Sequence, residues 1–211
     1  PLYLSTTVTE ISGQEHLTGV TLAQVDEIRR PIPGTERYIQ CDTLLLSVGL
    51  LPENELSRQA GVALDRVTGG PEVSDDLSTS LPGVFACGNV LHVHDLVDFV
   101  SQEAAAAGRS AARFLRNGPV SGETVALEGR DGVRYTVPQQ VHRSSGVVTV
   151  RFRVGQPYRN ASLCAYAGGT LLKRIPKRIL TPGEMESFPL DTAAIPAGAE
   201  RVTFVVEEGQ A

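Results

Sequence analysis

Only one stretch of this chain carries a helical period long enough for a full helix, and it follows closely on an apolar run that ends at Gly88. Across residues 95–117, Leu96, Val100, Ala104, Ala107, Ala111, Phe114 and Leu115 recur at helical spacing. Asp95 is placed to cap the start, with Asp98 three residues later as the partner of a capping box. Asn117, Gly118 and Pro119 end it, a glycine where a left-handed cap fits and then a proline that cannot continue. The EAAAAG segment gives this helix a smooth side suited to close packing on a sheet. Just before it, VFAC (84–87) reads as a short strand. Strand, glycine and helix start in that order predict an α/β first half.

The flanks read differently. Residues 2–48 alternate with period two, in LYLSTTVTEI and LTGVTLAQV, with Gly13 to His16 as the connection and RRPIPGTE as a turn-rich interruption. Leu44 to Val48 is a continuous apolar run, expected as a strand covered on both faces. Residues 53–61 predict a short helix closed by Gly61, and 63–80 a polar loop. Beyond Pro119, short alternating runs separated by Gly and Pro turns predict a small β-sandwich. The division is placed at 118–123, giving residues 1–118 and 119–211 as the two parts.

Composition excludes several classes. A net charge of −5 leaves no basic excess to neutralise phosphates, so a general nucleic-acid binder is not expected. No apolar run reaches spanning length, and no leader pattern opens the sequence. The three cysteines are widely spaced without a CxxC, so neither a disulfide framework nor a zinc site is expected, and a reducing, cytoplasmic location is the default. The sequence starts with Pro1 in what reads as mid-strand, which suggests a piece of a longer protein.

A strand ending in glycine before a helix N-terminus suits an elongated, partly anionic ligand. Gly88 would let such a ligand pass close to the backbone, Asn89 would bond a hydroxyl, and the first-turn N–H groups of Leu96, Val97 and Asp98 would face electron-rich atoms. The plainer alternative is that Gly88 makes a turn and Asn89 caps it.

TSLPGVFACGNV (79–90) resembles the second flavin-binding motif of the FAD-dependent pyridine nucleotide-disulfide oxidoreductases. CDTLLLSVGLLPENEL (41–56) is similar to the earlier family segment in which a strand ends in glycine, here Gly49, and LVDFVSQEAAAAGRSAARFL (96–115) to the helix after the motif. The resemblance implies a partial FAD/NAD(P)-binding Rossmann-like three-layer domain, with 1–40 as the tail of the nicotinamide domain and 41–118 as the last part of the FAD domain. It implies FAD and NAD(P) as cofactors of the intact protein, with Gly49, Gly88, Asn89, Leu96, Val97 and Asp98 at the flavin. Gly88 would be small because a ribityl chain runs past it. Asn89 stands where the family has an acidic residue, which removes a charge from that contact.

The two GxGxxG fingerprints and the redox CxxC of the family are absent. The isolated chain is therefore expected to be inactive and to self-associate through exposed edges; the resemblance implies an intact enzyme that transfers hydride between NAD(P)H or an organic donor and FAD, with a companion subunit as an onward electron acceptor. Its substrate is not readable. The rival is a non-catalytic interaction protein that works through its β-sandwich; a sugar-binding β-module has little support.

Other residues are weighed as follows. Cys87 is expected to be a small buried residue. His92 and His94 with Asp95 have a chelating look but lack a nameable third and fourth ligand, so no metal is expected, and the histidines are placed in a loop near the flavin edge. Asp98 and Glu103 are expected to cap and to be solvated. Lys173, Arg174, Lys177 and Arg178 form a basic cluster, expected as a solvated face with docking of an acidic partner as the alternative. His16 and His142 look incidental.

Overall fold

Alternation decides most of the strands. In a computed structural model that describes residues 1–209, the elements run β1 (Thr6–Ser12), β2 (Gly19–Gln24), β3 (Arg37–Gln40), α1 (Glu55–Gln59), α2 (Val97–Asn117) and then β4 (Thr124–Gly129), β5 (Gln140–His142), β6 (Val147–Phe152), β7 (Tyr158–Ala167), β8 (Thr170–Leu180), β9 (Glu186–Asp191) and β10 (Arg201–Glu208). The chain divides into two compact units, Pro1–Gly49 and Leu50–Ala211.

The first unit is an antiparallel sheet in the order β1-β2-β3. Gly13 makes the β1–β2 turn at φ +112, where a Cβ would lie 1.9 Å from the His16 carbonyl oxygen, so only glycine fits. Leu44 to Val48, expected as a buried strand, forms none: Leu45 is 90% and Val48 87% exposed. No described strand pairs with this run. Its side chains instead border a groove of about 700 Å³ against Thr6–Ile11.

The second unit has two cores. In the larger, a five-stranded sheet ordered β5-β4-β10-β7-β8 faces the pair β6-β9. Alternate residues of β10 (Val202, Phe204, Val206) and of β6 (Val150, Phe152) turn into the shared interior. Phe204 meets Phe188 edge-on at 5.3 Å between ring centres and lies 5.9 Å from Phe152. Strand β4 was not anticipated. In the alternating run GVRYTVPQQV (132–141) only the end joins a ladder, as β5, and Pro138 before it cannot donate into one.

The smaller core gathers Val73, Leu77, Ala86, Leu91 and Ala107 with Tyr135 and Val137, so it crosses residues 118–123. VFAC is not a ladder strand: Phe85 makes a single bridge to Ser78 across the Pro82-Gly83 turn. Helix α2 buries a face set slightly round from the expected one. Glu103 and Ala107 are buried, and Val100, Ala111 and Phe114 half-buried, whereas Leu96, Ala104 and Leu115 are exposed. Within EAAAAG, Ala104, Ala105 and Gly108 therefore meet solvent while Ala106 and Ala107 pack into the smaller core, and a Cβ on Gly108 would touch nothing within 4 Å.

Candidate functional site

The loop from Gly88 to Asp95 is built on a left-handed turn. Gly88 has φ +74, and a Cβ there would lie 3.3 Å from Val100 Cγ1 on α2. The residue after Cys87 must both reverse its backbone and stay clear of the helix, and glycine does this at no steric cost. A 3-10 turn follows over Gly88–Val90, with the N–H groups of Leu91 and His92 donating to the Gly88 carbonyl. Asn54, at the start of α1, braces this turn from below: its Nδ2 donates to the carbonyls of Val90 (2.7 Å) and Gly69 (3.1 Å).

Under the loop lies a cluster that residue spacing alone did not reveal. Glu103, expected at the surface, is 3% exposed. Its Oε2 accepts the Gly88 N–H at 2.6 Å and lies 2.9 Å from His94 Nε2, while Oε1 lies 3.2 Å from His92 Nε2. Arg151 Nη1 stands 3.7 Å from Oε1 and supplies the opposite charge. Burial would raise the Glu103 carboxyl, but the hydrogen bonds from both histidines and from Gly88 outweigh it and draw the group down to about 2. Burial lowers His92, so it stays neutral against the pull of the carboxylate. The sign that could have exposed the cluster is a glutamate in the apolar stripe, between Val100 and Ala107.

Among the described residues, His92, His94 and Glu103 could hold a metal ion, with donor atoms within 4.8 Å of one another. They provide the third ligand that the HVHD segment lacks. The carboxylate is already engaged by three N–H donors and balanced by Arg151, so an added dication would leave the buried site with excess positive charge.

Of the residues predicted from sequence, Gly88 and Asn89 share the turn, and Leu96, Val97 and Asp98 form the start of α2, which contacts that turn. Gly49, at φ +93 and exposed, belongs to the other unit. Asn89 is exposed, and its Oδ1 accepts the His94 N–H at 3.1 Å. The capping expectation fails. Leu96 is the N-cap residue with no side-chain cap, and Asp95 turns instead to Arg153 Nη2 (2.5 Å) and the Met185 N–H (2.7 Å). The first-turn N–H groups of α2 are left uncapped beside exposed Leu96 and Val97.

His142 is not incidental either. It is buried, with Nδ1 2.7 Å from Asp75 Oδ1 and 3.4 Å from Ser74 Oγ, and Asp75 also accepts from Ser145. These bonds hold Asp75 below the usual carboxylate range against the opposing effect of burial. In the basic cluster, Arg174 pairs with Glu207 of β10, while Lys177 pairs with Glu186 at 2.6 Å and Lys173 donates to the Pro189 carbonyl, both in β9, so most of that charge is spent on neighbouring strands. Cys87 is half-buried, and burial raises its thiol, which fits an unreactive side chain.

The sequence pattern of the pyridine nucleotide-disulphide oxidoreductases matches residues 1–111, which include the whole Gly88–Asp98 segment. The chain belongs to this family. Among individual members, it is 33% identical over 99 residues to the NADP(+)-dependent formate dehydrogenase subunit beta of Moorella thermoacetica, covering 43% of this chain and 13% of that protein. It is 34% identical over 95 residues to the nitric oxide reductase FlRd-NAD(+) reductase of Salmonella schwarzengrund, 40% of this chain and 24% of the other. It is 39% identical over 62 residues to hydrogen cyanide synthase subunit HcnB of Pseudomonas aeruginosa, 29% and 13%. The chain thus spans 13–24% of the length of these three oxidoreductase-family relatives. No helix among the described residues is long and apolar enough to cross a membrane.

Proposed function

We propose that this chain is part of a flavin-dependent oxidoreductase that passes hydride between NAD(P)H or an organic donor and FAD, with residues 88–98 along the flavin. The observation that carries this reading is the uncapped, exposed start of α2, reached from a left-handed glycine within the family match. Free backbone donors at a helix N-terminus suit an electron-rich ring edge, and the positive helix end favours a reduced, anionic flavin. When bound, FAD would supply the two-electron chemistry. Leu96, Val97 and Asp98 would present N–H groups to the flavin ring, and Asn89 would offer its exposed carboxamide NH2 to a ribityl hydroxyl. Gly88 is already required by its backbone and by Val100, so the smallness of this residue does not depend on a ribityl chain.

The face-to-face β6-β9 and five-stranded sheets suit a sandwich module carried at the end of such an enzyme. Relatives described as subunits support a companion subunit that exchanges electrons with this one. By itself the chain would be inactive, since it carries no GxGxxG fingerprint to hold either nucleotide.

The test is the visible spectrum of the longer protein that contains this sequence, purified without added cofactor. A flavin spectrum, weakened by Leu96→Pro at the helix start, is the expected result. A colourless protein that takes up no added FAD would overturn the reading.

A further inference from the structure

We propose that the C-terminal strands position the loop before α2, with Arg153 as the positioning residue; this rests on the flavin reading above. Strand β6 and the residue that follows it, Arg153, have two working faces. Val150 and Phe152 point into the core, and the alternate residues Arg151 and Arg153 point to the loop and helix. Arg153 Nη2 donates to the Val93 carbonyl at 3.0 Å and to Asp95 Oδ1 at 2.5 Å, and its Nη1 donates to the Gly183 carbonyl at 2.5 Å. The other Asp95 oxygen accepts the Met185 N–H at 2.7 Å. One guanidinium therefore ties the loop to the β8–β9 turn, and one carboxylate closes the stitch from the loop side. Arg151 adds the second tie, to Glu103, and lies over the Phe99 ring at 5.7 Å.

Asp95 stands one residue before the N-cap Leu96, which itself has no capping side chain. Arg153 and the Met185 N–H draw Asp95 away, and the first-turn donors stay available to a ligand. The direction of the helix start is then set by the β-strands rather than by the helix's own cap. A planar five-donor fork suits this task; a lysine at 153 would have one point charge for three oxygens.

The experiment uses the full-length protein with Arg153→Ala, Arg153→Lys and, as a control, Arg174→Ala, whose partner Glu207 lies in β10. Three quantities are read: hydrogen exchange of the peptide covering 88–98, FAD affinity, and the reduction potential of bound flavin. Arg153→Ala is expected to speed exchange in 88–98, weaken FAD about tenfold and lower the potential, because the positive helix end is no longer held at the ring. Arg153→Lys should recover part of each, and Arg174→Ala should change none.

Faster exchange with wild-type affinity and potential would overturn the positioning role, and unchanged exchange would overturn the stitch itself. A wild-type protein that binds no FAD would overturn the flavin reading and the positioning role with it. That case is told apart because the failure is already present before any substitution.

Discussion

Glu103, on the buried face of α2, accepts the backbone N–H of Gly88, fifteen residues earlier in the chain, at 2.6 Å. One carboxylate thus fixes the turn of the flavin-type motif and both histidines that follow. A glutamine there keeps the shape but turns an NH2 group toward at least one of the three N–H donors, because both carboxylate oxygens accept. Glu103→Gln should therefore destabilise the fold by about 2–3 kcal/mol. Urea unfolding of the wild type and variant measures this, and a loss below about 0.5 kcal/mol would refute the clustering.

The same turn predicts a second result. Gly88→Ala places a Cβ in a left-handed backbone and 3.3 Å from Val100, and should cost about 1–2 kcal/mol. Adding Val100→Ala opens the space but leaves the backbone strain. The double variant should then recover none of the conformational part, and a full recovery would show that crowding alone selects glycine.

Acid should weaken the fold through this cluster. Burial holds His92 below its usual range, so from about pH 6.5 downward the unfolded chain takes up a proton there that the folded chain refuses. Glu103, drawn from 4.5 to about 2, adds a contribution on the order of 3 kcal/mol that is complete above about pH 4.5 and is lost as pH falls toward 2. Glu103, His94, Tyr135 and Arg151 are the groups facing His92, and only the carboxylate favours its protonation. Urea midpoints measured between pH 7.5 and 4 should fall steadily, and at least as steeply in Glu103→Gln, where no carboxylate favours the protonated His92. A flat profile would count against a buried neutral His92.

Chelation should leave the melting midpoint unchanged, since the Glu103 oxygens are satisfied by N–H donors and Arg151. A midpoint that drops with a chelator and returns with zinc would reassign His92, His94 and Glu103 as ligands.

Much of this was legible in the sequence because period and punctuation are local. The α2 span, its end at Gly118, the Gly13 turn and most of the C-terminal strands follow from spacing and turn residues. Leu44 to Val48 and VFAC were misjudged for one reason: an apolar run becomes a strand only where a neighbour can pair with it. The cluster stayed hidden because Glu103 reads as a solvated helix residue until the partners of His92 and His94 are known. Arg153 and Asp95 are likewise far apart in sequence, and a capping rule applied to Asp95 cannot foresee a better partner 58 residues away.

The smaller core joins Val73, Leu77 and Ala107 to Tyr135 and Val137. A lineage that gained or exchanged the C-terminal strands by recombination at 118–123 would have broken that cluster at the seam. From Leu50 onward, motif and C-terminal strands therefore share one packed interior, and exchanging the strands alone would leave Val73, Leu77 and Ala107 uncovered.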